Sequence, residues 1–187
     1  MNPLEVNPGI SGEVPGYRHV LAQRPQWYAC ACCPPNLVRL LMSLGKYLWD
    51  ETEDVIYSHM FAGQTAELGK ADIRVESQYP WNGMVRYTVE QKTEKPFTLI
   101  HIPSYIKEFT VLINGKEIQA KDYMRKGYLY LERTWNHDVV EIRFELAVRK
   151  IYANQKVRED AGCTALMRGP FVYCFEGKDN GPDLQSC

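Results

Sequence analysis

The sequence has no long apolar run and no excess of charge of one sign. No stretch approaches the roughly 18–20 consecutive apolar residues that a membrane-spanning helix needs. The formal net charge of −1 provides no basic surface for nucleic acid or for an anionic membrane. The sequence therefore predicts neither a nucleic-acid partner nor a membrane partner.

A secretory signal and a dense set of cysteines are also missing. The opening residues MNPLEVNPGISGEVPG lack the basic segment followed by an apolar one that marks an export signal, which predicts a cytoplasmic location. Six cysteines among 187 residues are too few for a disulfide scaffold. In a reducing compartment, clustered cysteines favour a metal site or catalysis.

The chain divides by periodicity into an irregular start, one helix and many strands. Prolines and glycines interrupt residues 1–29 too often for any long element. Residues 34–49 predict a single helix, because Pro34 and Pro35 suit a first turn and leucines recur at three- and four-residue steps. We call Leu37, Leu40, Leu41 and Leu44 the leucine stripe. We expect it to be buried against the following β region or against a partner chain. In a homo-oligomer that partner is a second copy of this chain.

After residue 50 the apolar period changes from 3.6 to 2, and no second helix is predicted. The predicted strands are 55–61, 65–68, 71–79, 84–91, 97–103, 109–115, 127–133, 138–146 and 163–176. Asn82-Gly83 and Asn114-Gly115 mark turns between them. The fold class predicted is mainly β, an antiparallel and jelly-roll-like β-sandwich preceded by a loop and one α-helix.

The segment WYACACCPPNLVRLL, residues 27–41, carries the strongest chemical signal. Cys30, Cys32 and Cys33 fall within four positions at the start of the predicted helix. The partial positive charge of a helix N-terminus favours a thiolate, which is the form that binds metal or attacks an electrophile. The spacing is not that of a zinc finger or ribbon, so these thiols would supply only part of a metal shell. The alternative is that they are small buried side chains that pack the helix start.

The same residues resemble a known enzyme family. CACCPPNLVRLLMSLGKYLW is similar to the signature of glycoside hydrolase family 127, the β-L-arabinofuranosidases and their relatives. NPLEV and YRHVLAQRPQWY before it resemble the loop that precedes the signature. DVIYSHMFAG, YPWNG, FTLIHIPSY, VLINGKEI, KVRED and ALMRGPFVYCFE resemble the family's β-sandwich region in the same order.

The resemblance implies a mechanism and a cofactor. It makes Cys32 the nucleophile, a zinc-bound thiolate that attacks the anomeric carbon, and Cys33 a second zinc ligand. Cys30 belongs to the motif without a ligand role. The implied reaction is retaining hydrolysis of L-arabinofuranosides through a glycosyl-cysteine intermediate, with carbohydrate as the partner.

The resemblance also implies that the chain is a segment. The family's Glu-x-Cys zinc ligands and its acid/base glutamate have no counterpart here, and Glu5 and Glu13 match neither motif. The predicted regions are 1–50, the end of the catalytic (α/α)₆ barrel; 51–153, a β-sandwich domain; and 154–187, the start of a second, truncated sandwich. We therefore expect little or no activity from this chain alone. The alternatives are a non-catalytic carbohydrate-binding or structural sandwich, and a zinc site completed by another chain.

Several other residues are weaker candidates. His59 and His101 lie in predicted strands, where a histidine is more often packed or hydrogen-bonded than metal-bound, and His19 precedes the cluster in the loop. Trp27 and Tyr28 flank the cysteines, and we expect them to pack against the helix rather than to stack on a sugar. Trp81 is expected to shape a turn, and Arg168 to pair with a carboxylate at a domain junction.

Overall fold

A computed structural model describes residues 32–95, 102–158 and 162–174. The chain forms two compact units, residues 1–44 and residues 45–187. The described part of the first unit is a single helix and its flanking turns. No helix in the described ranges is long and apolar enough to cross a membrane.

The predicted helix over 34–49 is shorter than expected and is interrupted. Helix α1 spans Cys33–Met42, and a separate turn of helix, α2, spans Gly45–Leu48. Ser43 ends α1 because its hydroxyl donates to the carbonyl of Arg39 at 3.0 Å and competes with the helical hydrogen bonds. Gly45 then adds a residue of low helix propensity. The prediction of one continuous helix is therefore wrong at Ser43-Leu44, where the helix is interrupted, and at Trp49, which begins a strand.

The β region is built from short antiparallel strands. The strands are β1 (Trp49–Glu51), β2 (Ile56–Ser58), β3 (Gln64–Glu67), β4 (Ala71–Ser77), β5 (Met84–Gln91), β6 (Phe109–Ile113), β7 (Lys116–Ile118), β8 (Met124–Arg125), β9 (Tyr128–Leu129), β10 (Asp138–Phe144), β11 (Val148–Tyr152), β12 (Thr164–Arg168) and β13 (Phe171–Tyr173). A 3₁₀ turn at Ala120–Tyr123 and the strands β1, β7, β8 and β11 were not predicted. Most of the predicted strand 97–103 lies outside the described residues.

A six-stranded antiparallel sheet in the order β3-β4-β5-β10-β6-β7 forms the centre of the second unit. Val85, Tyr87 and Val89 on β5 are fully buried, while the residues between them are exposed or half-buried. This alternation agrees with the period of two in the sequence. The hairpin between β6 and β7 turns at Asn114-Gly115, both at positive φ, as the sequence predicts.

Smaller elements cover the buried face of this sheet. The β1-β2 pair contributes Ile56 and Ser58, and the Ser58 hydroxyl lies 2.9 Å from the hydroxyl of Tyr87. Leu129 and Trp135 add further buried area from the segment between β7 and β10. The predicted fold class, a mainly antiparallel β-sandwich preceded by a helix, is confirmed.

A second sheet of three strands has the order β11-β12-β13. The predicted strand 163–176 forms two of them, β12 and β13, with a turn at Gly169-Pro170. β11 lies before residue 153, the predicted boundary between the two sandwich domains, yet it pairs with β12, which lies beyond that boundary. The division into the regions 1–50, 51–153 and 154–187 stays a prediction.

Candidate functional site

Two adjacent thiols stand at the start of helix α1. Cys32 occupies the N-cap position with a helical backbone, φ −71° and ψ −35°, and Cys33 is the first residue of the helix. Their Sγ atoms are 3.7 Å apart, and both residues are exposed and free of disulfide bonds. Pro34 and Pro35 occupy the next two positions, where the missing N–H groups cost the helix nothing.

Asn36 fixes the backbone of Cys32. Its backbone N–H donates to the carbonyl oxygen of Cys32 at 3.3 Å, and its side-chain Nδ2 donates to the same oxygen at 2.9 Å. The guanidinium of Arg39 donates in turn to Oδ1 of Asn36. Sequence reasoning assigned no role to Asn36, although its position four residues after Cys32 is the helical spacing at which such a contact forms.

The thiol pair fits half of a zinc site. Two thiolates at about 2.3 Å from a tetrahedral zinc ion lie about 3.8 Å apart, close to the separation found here. Cys32 and Cys33 can therefore supply two ligands without a change of backbone. Within the described ranges, no group of three or more His, Cys, Asp or Glu residues is arranged to hold a metal ion. The other two ligands of a tetrahedral site have to come from outside the described residues.

No acidic residue lies in the first turn of α1. A carboxylate that delivers a proton to a leaving group beside Cys32 is thus absent from that turn. The two exposed cysteines of the second sheet, Cys163 and Cys174, are free thiols as well. They provide an internal comparison for the reactivity of the pair.

His59 belongs to an aromatic cluster on the β-sandwich. Its Nδ1 lies 3.0 Å from the hydroxyl of Tyr128, and its ring stacks with Tyr57 at a centroid distance of 6.0 Å. His59 directly follows β2, and these contacts agree with the expectation that it is packed and hydrogen-bonded. Burial raises the pKa of Tyr57, and a hydrogen bond to Tyr130 raises it further.

Trp81 and Arg168 are neighbours. Nη1 of Arg168 donates to the carbonyl oxygen of Trp81 at 3.3 Å. The expected partner of Arg168, a carboxylate, is not among the described residues within ion-pair distance of it. Cys30, His19, His101, Trp27 and Tyr28 lie outside the described residues.

Two family models match the chain from residue 55 to its end. Residues 55–147 match the middle domain of the glycoside hydrolase family 127 β-L-arabinofuranosidases, and residues 148–187 match the family 127 C-terminal domain. The non-reducing end β-L-arabinofuranosidase of Bifidobacterium longum subsp. longum is 37% identical over 98% of this chain.

Solved structures give the same assignment. A family 127 β-L-arabinofuranosidase from Geobacillus stearothermophilus T6 superposes with a TM-score of 0.83 and is 40% identical, over 98% of this chain. A second family 127 β-arabinofuranosidase has a TM-score of 0.74 and 32% identity over 85% of this chain. The chain spans 29% of the length of the Bifidobacterium protein and 30% of the Geobacillus chain.

Proposed function

Because this chain belongs to glycoside hydrolase family 127, we propose that it is part of a retaining glycosidase that releases L-arabinofuranose from β-linked arabinofuranosides. The substrate class comes from the relatives, which are named as β-L-arabinofuranosidases. The observation that carries the proposal is the Cys32–Cys33 pair, whose sulfur atoms are held at a spacing of 3.7 Å. Cys32 is the nucleophile in this proposal, and zinc is held by Cys32 and Cys33.

The reaction divides into two displacements at the anomeric carbon. The Cys32 sulfur forms a bond to that carbon as the glycosidic C–O bond breaks, and an acidic group protonates the departing oxygen. Water then replaces sulfur at the same carbon, gives up a proton to that group, and leaves the sugar with its original configuration. A zinc ion bound to the pair would keep the thiol ionised and make it a better leaving group in the second displacement.

The described residues contribute positioning to this reaction. The bonds from Asn36 to the carbonyl of Cys32 hold the nucleophile's backbone, so that the sulfur meets the substrate with little loss of entropy. The exposure of Cys32 and Cys33 leaves both sulfurs accessible. The first turn of α1 has no acidic residue, so the proton donor must be contributed by another part of the protein.

Metal content and thiol protection test the proposal without relying on activity. Because Cys32 and Cys33 supply only two of the four expected ligands, the reduced chain should bind added zinc weakly, and the Cys32→Ala and Cys33→Ala variants should bind still less of it. Alkylation followed by mass spectrometry should show that zinc protects Cys32 and Cys33 and leaves Cys163 and Cys174 reactive. The Cys163→Ala variant is the matched control and should bind zinc as wild type does.

The catalytic role is tested on the same proteins. An arabinofuranoside with an activated leaving group should leave a pentosyl adduct on Cys32, which peptide mass spectrometry locates. We expect turnover by this chain alone to be weak or absent, since the proton donor is not supplied by α1. A wild-type chain that binds no zinc and gains no protection would contradict the metal site, and an adduct on another residue would contradict the nucleophile.

A further inference from the structure

Trp81 is an exposed tryptophan in a protein whose other described tryptophans are buried. The exposed fraction is 73% for Trp81, against 8% for Trp49 and 2% for Trp135. A large aromatic side chain left in water forgoes the free energy that burial would provide. Tryptophan is enriched at contact surfaces, because its ring is apolar while its N–H forms a hydrogen bond.

The turn between β4 and β5 holds Trp81 in place. The backbone N–H groups of Trp81 and Asn82 both donate to the carbonyl of Gln78, at 3.0 and 3.1 Å. Oδ1 of Asn82 accepts from the N–H of Met84 at 3.0 Å, and Phe144 N–H donates to the carbonyl of Gly83 at 2.9 Å. A ligand that meets this ring therefore orders little of the backbone on binding, which reduces the entropic cost.

The β12-β13 hairpin supports the same ring from the second sheet. Phe171 contacts Trp81 with a centroid distance of 5.5 Å and an interplanar angle of 62°. Arg168 is half-buried, and only one of its five N–H groups has a partner among the described residues, the carbonyl of Trp81 at 3.3 Å. The exposed Asn82 uses its Oδ1 in the turn, and the described residues provide no acceptor for its Nδ2.

An exposed aromatic ring beside N–H donors without acceptors is suited to a sugar. The C–H groups on one side of a furanose or pyranose ring pack on the indole, while its hydroxyl oxygens accept from the guanidinium and the amide. A protein partner needs about 800 Å² of surface on each side with an apolar centre. Gln78, Asn82 and Arg168 place polar groups beside the ring, whereas Met84 and Val172 expose apolar area, so a protein contact is one outcome of the test below.

We propose that Trp81, Arg168 and Asn82 form a saccharide-binding platform that binds the arabinofuranosyl glycan through residues of the β-sandwich region. The proposal rests on the proposed function for its ligand class, because the relatives are named as arabinofuranosidases. It adds a glycan contact that is not part of the cysteine chemistry. The platform takes neutral sugar residues by stacking and by hydrogen bonds from Arg168.

Tryptophan fluorescence of the full chain measures this binding. An L-arabinofuranosyl oligosaccharide is the probe, and a xylo-oligosaccharide of equal length is the comparison. The arabinosyl probe should change the emission and should reduce quenching by iodide, because Trp81 is the exposed tryptophan of the described ranges. Trp81→Ala should lose at least about tenfold in affinity, the size expected for loss of one aromatic contact. Trp81→Phe should retain part of it.

Isothermal titration extends the test to variants and controls. Arg168→Gln should weaken binding severalfold by removing charge-assisted donors. Tyr47→Ala removes an aromatic residue of similar exposure, 56%, outside the platform and should bind as wild type does. Because Trp81 is exposed, its variants should melt as wild type does, which separates lost binding from lost folding.

The outcomes distinguish this proposal from the proposed function. Trp81→Ala should lose affinity for the oligosaccharide while it keeps the zinc binding of wild type. Equal binding by wild type and Trp81→Ala, or no binding by wild type, would overturn the platform whatever the zinc measurements show. A Trp81→Ala variant that changes the oligomeric state and not glycan affinity would also overturn it and would assign the ring to a protein contact.

Discussion

At the residue scale, the backbone of Cys32 is held by contacts that do not involve its sulfur atom. The carbonyl of Cys32 accepts two hydrogen bonds from Asn36, and Arg39 holds the amide of Asn36 in the required orientation. Residues that orient a ligand usually affect metal affinity about 10–100-fold when they are changed. Asn36 is therefore a positioning residue, and its side-chain donor is the part that can be tested.

The variant Asn36→Asp removes this donor while it preserves side-chain size and the acceptor for Arg39. We expect its zinc affinity to fall by about tenfold or more, because a carboxylate oxygen faces the Cys32 carbonyl in place of an N–H. Competition with a chromophoric chelator measures the affinity. Asn154→Asp adds the same charge at an exposed position and keeps the acceptor that Lys156 N–H uses. Equal zinc affinity in wild type and Asn36→Asp would show that Asn36 does not position the pair.

A buried tyrosine gives the stability of the fold a defined pH dependence. Tyr87 is fully buried, and burial raises its pKa far above the usual value, although the hydrogen bond to Ser58 lowers it in part. The raised pKa means that the folded chain binds a proton that the unfolded chain releases above about pH 10. Stability is therefore fully present below that pH and decreases above it, by about 1.4 kcal/mol per pH unit for this group.

Tyr87→Phe removes this contribution and the hydrogen bond to Ser58. We expect its unfolding free energy to be lower at neutral pH by about 1–3 kcal/mol, since the buried Ser58 hydroxyl keeps only its long contact with the carbonyl of Met60, 3.5 Å. Between pH 10 and pH 11 its stability should decrease less steeply than that of wild type. Urea unfolding across this range measures both effects, with Tyr123→Phe, an exposed tyrosine, as the control. Parallel pH profiles for wild type and Tyr87→Phe would contradict the assignment.

At the element scale, one glycine fixes the turn that carries Trp81. A Cβ atom at Gly83 would lie 2.0 Å from the carbonyl oxygen of Phe144, whose own N–H donates to the carbonyl of Gly83. No L side chain fits without a shift of β5 away from β10. The sequence identified Asn82-Gly83 as a turn, but the close approach to Phe144 depends on strand pairing 61 residues farther along the chain.

Gly83→Ala should lower the unfolding free energy by roughly 1–3 kcal/mol or more, as overpacking against a fixed backbone does. Chemical denaturation measures the loss. Gly63→Ala is the matched control, because its new Cβ would meet backbone atoms only at 3.7 Å and its φ is not positive. We expect that variant to stay within about 1 kcal/mol of wild type. Equal effects at the two positions would contradict the structural argument.

At the scale of the whole molecule, the features that can be predicted from the sequence are those that depend on a local pattern of apolar and polar residues. Strand β5 was predicted with its observed limits, 84–91, because apolar and polar residues alternate there without interruption. The three-residue strands β1 and β7 have too few residues to show a period, and only pairing with a neighbour defines them. At the candidate site, the positions of Cys32 and Cys33 followed from the motif and the helix start. The 73% exposure of Trp81 depends on tertiary packing, so the sequence indicated only a turn.

The leucine stripe predicts the association state of the whole chain. No residue of α1 is buried, and the exposed fractions of Leu37, Leu40 and Leu41 are 57%, 46% and 58%. Among the described residues these leucines are exposed, and cover of the stripe by a second copy stays a prediction. Burial of a leucine side chain is worth about 1.5–3 kcal/mol, so three uncovered leucines on one helix face favour association.

We expect the isolated chain to sediment as a homodimer at micromolar concentration, with the stripe of each copy against the other. A Leu37→Lys/Leu41→Lys variant should be monomeric, because the free-energy cost of burying two unpaired ammonium groups exceeds the free energy that the apolar contact contributes. Met42 is 84% exposed and lies on the opposite side of the helix at 100° per residue. Met42→Lys should therefore remain dimeric. A monomeric wild type in analytical ultracentrifugation would show that a second copy does not cover the stripe, and a dimer that survives the double substitution would place the interface elsewhere.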